Sequence, residues 1–98
     1  MATYISLINY TEQGVRAIKD SPKRLDAARA LAKRLKGRIR EFFLTMGGYD
    51  IVCVLEFPDD AAAAKFALKV GSTGNVRTTT LKAFSEAEYR KLVAGLPK

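Results

Sequence analysis

Histidine is absent from this chain of 98 residues, and cysteine occurs only once. Without histidine, the protein has no nitrogen-ligated zinc site, no histidine-ligated haem, and no serine–histidine or cysteine–histidine nucleophile pair. The ten acidic residues show no ligand spacing like that of a calcium-binding EF-hand loop. A glycine-rich phosphate loop of either common spacing is also missing. We therefore predict that the protein carries no metal and no cofactor.

Cys53 stands alone within the apolar run 51–55, so no disulfide can form within the chain. A buried thiol of this kind behaves as a small hydrophobe and fits a reducing compartment. No apolar run approaches the roughly 20 residues that cross a bilayer, and the N-terminal residues lack the pattern of a secretory signal. We expect a single cytoplasmic domain over residues 1–98, with no membrane partner.

The net charge of +7 suggests nucleic acid as a candidate partner. Many of the basic residues fall in and after one predicted helix: Lys19, Lys23, Arg24, Arg29, Lys33, Arg34, Lys36, Arg38 and Arg40. Most of them sit where the solvent face of that helix should be, which is the usual arrangement of a charged helix. No aromatic-rich RNA-binding signature alternates with them. We expect any nucleic-acid binding to be weak and non-specific.

Four stretches rich in β-forming residues predict strands: residues 3–10, 38–45, 50–57 and 76–84. Between the first two, Thr11 is an N-cap signal, and Ser21 followed by Pro22 is a second one. Apolar residues then recur at helical spacing until Gly37. The segment 11–36 therefore forms either one bent helix or two.

Two further helices are predicted. Asp59 and Asp60 begin the first of them, and Ser85 and Glu88 have the capping-box spacing that begins a short C-terminal helix. The predicted docking side chains of this last helix are Tyr89, Leu92 and Val93. The order strand–helix–strand–strand–helix–strand predicts an α+β, ferredoxin-like fold. It has a four-stranded antiparallel sheet with its first and third strands in the middle and its helices on one face.

The third predicted strand is apolar on both of its faces. Ile51, Cys53 and Leu55 point one way, while Val52 and Val54 point the other way. The helices cover one face of the sheet, and nothing else in the chain is large enough to cover the other. A second copy of the protein, packed sheet on sheet, would supply that cover. The alternative is that the C-terminal helix folds under the sheet.

A glycine-rich turn over residues 46–50 joins the second and third strands. Its two adjacent glycines permit positive φ and a hairpin reversal. Antiparallel pairing should bring Asp50 close to the end of the first strand. The predicted ligand-binding residues are therefore Asn9, Tyr10, Gly47, Gly48, Tyr49 and Asp50. Tyr49 would offer an aromatic wall and Asp50 a hydrogen-bond acceptor, whereas the simpler interpretation is a structural turn.

The tripeptide Gly48-Tyr49-Asp50 resembles the signature of the GYD domain family. Further matches are Thr3-Tyr4-Ile5, Thr11-Glu12-Gln13-Gly14, Lys19-Asp20-Ser21-Pro22-Lys23-Arg24, Thr45-Met46-Gly47 and Gly74-Asn75-Val76-Arg77-Thr78-Thr79-Thr80. The resemblance implies a ferredoxin-like domain similar to the dimeric α/β-barrel proteins. It implies little about activity, because that broader fold group includes monooxygenases, haem-degrading enzymes, isomerases and small-ligand-binding domains.

Three functional hypotheses follow. The first is a non-catalytic module that forms a homodimer or higher oligomer and binds a small molecule or another partner. The second is a cofactor-independent enzyme that uses Asp50 as a base or Tyr49 as an acid. The third is weak, non-specific binding of nucleic acid.

Overall fold

The computed structural model describes all 98 residues and contains four strands and four α-helices. The strands are β1 (Ala2–Tyr10), β2 (Arg38–Leu44), β3 (Ile51–Phe57) and β4 (Val76–Ala83). The helices are α1 (Glu12–Arg16), α2 (Ser21–Arg34), α3 (Asp60–Ser72) and α4 (Glu86–Ala94), with a 3-10 turn over Ile18–Asp20. None of these helices is both long enough and apolar enough to cross a membrane.

The four strands form one antiparallel sheet in the order β2-β3-β1-β4. This order confirms the predicted ferredoxin-like fold, with the first and third strands in the middle. In the register of the two central strands, Ser6 lies opposite Cys53, and on the other side of β1 it lies opposite Thr80. The pairing of β2 with β3 shifts between Ile39 and Glu41, which marks a β-bulge.

The segment between β1 and β2 forms two helices rather than one bent helix. Thr11 caps α1 as predicted, because its hydroxyl accepts a hydrogen bond of 3.2 Å from the Gly14 N–H. The prediction that Ser21 caps the second helix is wrong, since Asp20 occupies the cap position and makes no capping side-chain bond. Ser21 lies inside α2 and its hydroxyl is 2.9 Å from the hydroxyl of Tyr10.

The hydrophobic core lies between the sheet and the pair of helices α2 and α3. Its buried members are Tyr4, Ala32, Ile39, Ile51, Cys53, Leu55, Phe57, Ala62, Ala63 and Phe66. The alternate residues of β3 that face the helices are all buried. At one end of this layer, the rings of Phe57 and Phe66 pack with their centres 5.2 Å apart.

The C-terminal helix stands apart from the rest of the fold. Its capping box is present as predicted: the Ser85 hydroxyl accepts from the Glu88 N–H, and the Glu88 carboxylate accepts from the Ser85 N–H. The prediction that Tyr89, Leu92 and Val93 dock onto the chain is wrong, because each keeps half or more of its surface exposed. The helix makes no extensive contact with any other element, so it leaves the far side of the sheet uncovered.

Candidate functional site

The glycine-rich turn lies at the exposed end of the β2–β3 hairpin. Met46 is almost completely exposed, and Gly47 and Gly48 are exposed beside it. Gly47 has φ of +138°, a conformation that glycine adopts without steric cost, whereas Gly48 does not have a positive φ. No atom lies within 4 Å of the position that a β-carbon would take on either glycine.

Asp50 fastens this turn to the end of β1. One oxygen of its carboxylate accepts a hydrogen bond of 2.9 Å from the Tyr10 N–H, and its own N–H donates to the Ile8 carbonyl at 2.9 Å. Its carbonyl accepts a third bond of 2.8 Å from the Thr45 N–H. The carboxylate thus supplies an acceptor just beyond the last backbone pair, Ile8 with Ile51. The predicted meeting of these two strand ends is confirmed.

The other predicted site residues point in different directions. Tyr49 keeps 40% of its surface, and only its carbonyl is engaged, by the Thr45 hydroxyl at 2.6 Å. Asn9 and Tyr10 are neighbours on a strand, so their side chains fall on opposite faces of the sheet. Of the six residues, Tyr10 and Asp50 are in direct contact. Their role in ligand binding stays a prediction.

A cavity of about 410 Å³ lies between the sheet and helices α2 and α3. Side chains of the central strands, including Ile8, Ile51 and Cys53, line its floor, and Leu25 and Val70 belong to its helical walls. Its lining also includes four alanines of the two helices: Ala27, Ala28, Ala30 and Ala67. These short side chains leave space that larger residues would fill. Tyr10 is the predicted site residue that lines this cavity.

Ser6 places a hydroxyl in this apolar floor. The residue is 3% exposed and makes no side-chain hydrogen bond, and its remaining surface lines the cavity. No enclosed side-chain nitrogen or oxygen in the protein lacks a partner, so the Ser6 hydroxyl is open to the cavity rather than sealed among protein atoms. Thr78 and Thr80, on the neighbouring strand, contribute further hydroxyls to the lining. Sequence reasoning missed Ser6, although its alternation with Tyr4 and Ile8 places it on the buried face.

Cys53 belongs to the same floor and is 3% exposed. Burial raises the pKa of its thiol to about 11, against a smaller opposing effect from the Arg29 guanidinium. The thiol is therefore protonated near neutral pH, where a nucleophile would need the thiolate. Its chemistry here is that of a small apolar side chain.

Two polar clusters lie at the opposite end of the sheet from the turn. The Tyr4 hydroxyl donates to the Asp60 carboxylate, which also pairs with Lys82 at 3.1 Å. Burial, followed by this carboxylate, raises the pKa of Tyr4 to about 12. Glu56 pairs with Arg38 at 2.5 Å and Arg40 at 3.3 Å, and the hydrogen bond from Arg38 is the main reason that the Glu56 pKa is lowered. No three carboxylate or thiol side chains come close enough together to hold a metal ion.

The face of the sheet away from the helices carries an apolar patch, which we call the open-face patch. It consists of Ile5, Leu7, Phe43, Val52, Val54 and Leu81. The strand register places Phe43 opposite Val52, and Ile5 opposite both Val54 and Leu81. Phe43 and Leu81 keep 52% and 46% of their surfaces exposed, because no element of the chain lies over them.

These features define a small ferredoxin-like α+β domain with a partly open cavity on one side of its sheet and an uncovered apolar patch on the other. The chain belongs to the GYD domain family, whose model matches residues 4–93. A curated relative from Thermus thermophilus is 33% identical over 89 residues, which cover 90% of this chain and 94% of the relative. That protein is named glutamine synthetase and cystathionine beta-lyase binding protein.

Two solved structures share the fold. A crystal structure of a Thermus thermophilus protein aligns with a TM-score of 0.56 and 24% identity, over 87% of this chain and 95% of that one. The leucine response regulatory protein of Mycobacterium tuberculosis aligns with a TM-score of 0.57 and 15% identity. The alignment covers 86% of this chain and 51% of the regulator, so the likeness concerns one part of that longer protein.

Proposed function

We propose that this protein is a non-catalytic interaction module that self-associates through its sheet and binds other proteins. The observation that carries the proposal is the open-face patch, which the chain leaves without a cover. Apolar surface of this kind is stabilised by burial against a partner. The name of the Thermus relative, a binding protein for two enzymes, supports a role in protein interaction.

The arrangement of charge around the patch supports a second copy of this chain as its occupant. The middle rows of the open face are largely apolar, whereas Arg38 and Glu56 lie at one end of the sheet and Arg77 at the other. An apolar centre with a charged rim is the usual anatomy of a protein interface. Two such faces complement each other about a two-fold axis, because each presents the same surface.

Helix α4 offers the second half of such an interface. With the preceding Phe84 and the following Leu96, its exposed apolar side chains form one set: Phe84, Tyr89, Leu92, Val93 and Leu96. The helix makes no extensive contact with the sheet of its own chain, yet its capping box fixes its start firmly. In the proposed dimer, α4 of each copy packs beside the open face of the other.

The mass of the protein in solution tests self-association. Light scattering behind size exclusion at low micromolar concentration should give at least two subunits for the parent. Val54→Asp places a charge in the centre of the patch and should shift the mass to one subunit or cause aggregation. Leu68→Asp is the matched control, because Leu68 is 75% exposed on the outer side of α3. A parent mass of one subunit would contradict the proposal.

Binding to enzymes is tested separately. Glutamine synthetase and cystathionine beta-lyase, purified from the organism that encodes this chain, would be immobilised and exposed to the parent and to both variants. Saturable binding of the parent to either enzyme supports the module. Absence of binding to both, with a confirmed dimer, would restrict the function to self-association and would contradict the transfer of partners from the relative.

A further inference from the structure

We propose that the cavity between the sheet and helices α2 and α3 binds a small neutral molecule with an apolar body and one hydrogen-bonding group. The buried hydroxyl of Ser6 would recognise that group. This site goes beyond the interaction function proposed above, because it lies on the opposite face of the sheet from the open-face patch.

The cavity is partly open to solvent and large enough to admit a small molecule. The cavity holds about 410 Å³, which falls within the range of about 300–1,000 Å³ for small-molecule sites. Ala28 and Ala67 face the cavity from the two helices, and their short side chains leave this volume open.

The lining of the cavity is mostly apolar. The floor is formed by Ile8, Ile51, Leu55 and similar side chains, which favour an apolar body. Among them, the Ser6 hydroxyl can both donate and accept, makes no side-chain hydrogen bond within the protein, and is open to the cavity. A ligand that fills the cavity displaces water from this hydroxyl, so a ligand that supplies a hydrogen-bond partner in its place gains specificity at this point.

The charged residues around the cavity favour a neutral ligand. No acidic or basic side chain lies buried beside Ser6: the charged residues of the lining are Arg24, Arg34 and Lys69, which come from the helices and are half-buried or exposed. Arg24 already donates to two backbone carbonyls, those of Ala17 and Gly14. A charge carried to the floor would be desolvated without compensation. The group that reaches Ser6 is therefore neutral, as in an alcohol, ketone, ester or amide.

The neutral dye prodan tests the site, because it joins a naphthalene body to a single ketone and its emission shifts to the blue in apolar surroundings. We expect saturable binding with one dye per chain. Ser6→Ala removes the hydroxyl without adding bulk to the floor, and it should weaken binding roughly tenfold. Ala67→Phe fills the cavity and should abolish binding.

Three further variants distinguish dye binding in the cavity from dye binding elsewhere on the protein. Ala28→Leu fills the same space from the other helix and should also abolish dye binding, so it tests the site if Ala67→Phe does not fold. Ala87→Phe adds the same ring to the exposed surface of α4 and should leave dye binding unchanged. Val54→Asp alters the open-face patch, and its non-aggregated fraction, isolated by size exclusion, should also bind the dye as the parent does. Unsaturable binding by the parent, binding that persists in a folded cavity-filling variant, or no binding at all would overturn the proposal.

Discussion

Removing the Asp50 carboxylate should destabilise the fold, because this side chain holds the glycine-rich turn against the end of β1. In Asp50→Ala, the Tyr10 N–H loses the acceptor that lies 2.9 Å away, in a partly buried position. A hydrogen bond to a charged group contributes about 1.5–3 kcal/mol, and an unpartnered donor costs a similar amount. We expect a loss of about 2 kcal/mol in the free energy of unfolding.

Such a loss is large enough to measure without unfolding the protein, since domains of this size are stable by about 5–15 kcal/mol. With a slope of about 1–2 kcal/mol per molar urea, the unfolding midpoint should fall by about 1–2 M. The thermal midpoint should fall by about 8–16 °C. Circular dichroism would follow both transitions at one fixed protein concentration, because the proposed self-association would make the midpoint depend on concentration.

Two further variants test whether the Asp50 carboxylate is the cause of the loss in stability. Asp50→Asn retains a neutral side-chain oxygen that can accept from the Tyr10 N–H, so it should lose about half as much as Asp50→Ala. Asp26→Ala removes an exposed carboxylate from α2 and should change stability by less than about 0.5 kcal/mol. If Asp50→Ala were as stable as the parent, the carboxylate would have no structural role, and the ligand-binding interpretation of the turn would gain weight.

Further predictions concern charge, reactivity and ligands. The folded-state pKa of Glu56 is lowered, so its ion pairs stabilise the protein at pH values above the ordinary pKa of a glutamate and lose their effect as the pH falls through the folded-state pKa. Glu56→Gln should therefore reduce the fall of the urea midpoint between neutral and acidic pH. An unchanged fall in this variant would contradict the prediction. Cys53 should react with iodoacetamide at pH 7.5 far more slowly in the folded protein than in urea, and equal rates would show that the thiol is accessible. In a thermal-shift screen, any ligand of the glycine-rich turn should lose its stabilising effect in Tyr49→Ala and Asp50→Asn, whereas equal effects in the parent and these variants would place its site elsewhere. A gel-shift titration at two ionic strengths should show nucleic-acid binding that is weak and collapses with salt; selective binding at near-physiological salt would refute that expectation.

The order of the elements could be read from the sequence because local patterns determine it. Alternating apolar residues set the strands, capping residues such as Thr11 and Ser85 set helix starts, and the glycine-rich turn sets the hairpin. The number and order of these elements then leave the ferredoxin-like arrangement as the natural way to build one sheet with helices on a single face. The apolar character of both faces of β3 was equally visible, since it depends only on alternation along the strand.

The position of α4 could not be read in this way. Tyr89, Leu92 and Val93 have the spacing of a docking face. This spacing shows that the three side chains can be buried together, but it does not identify the surface that would bury them. In the structure the helix begins at its capping box but lies off the sheet, so these side chains remain exposed. Where a helix docks depends on the direction in which the preceding strand delivers it, which is a tertiary property.

The sequence by itself determined the family through the resemblance of its motifs. It also determined the topology and the approach of Asp50 to the end of β1, because these follow from local pattern and strand pairing. Only the tertiary structure decided that the Asp50 carboxylate is engaged by a backbone N–H and that Ser6 faces an open cavity. The cavity exists because two alanine-bearing helices face the sheet at a distance that their short side chains do not fill. That distance is set by the packing of the whole domain, so no single segment of the sequence encodes it.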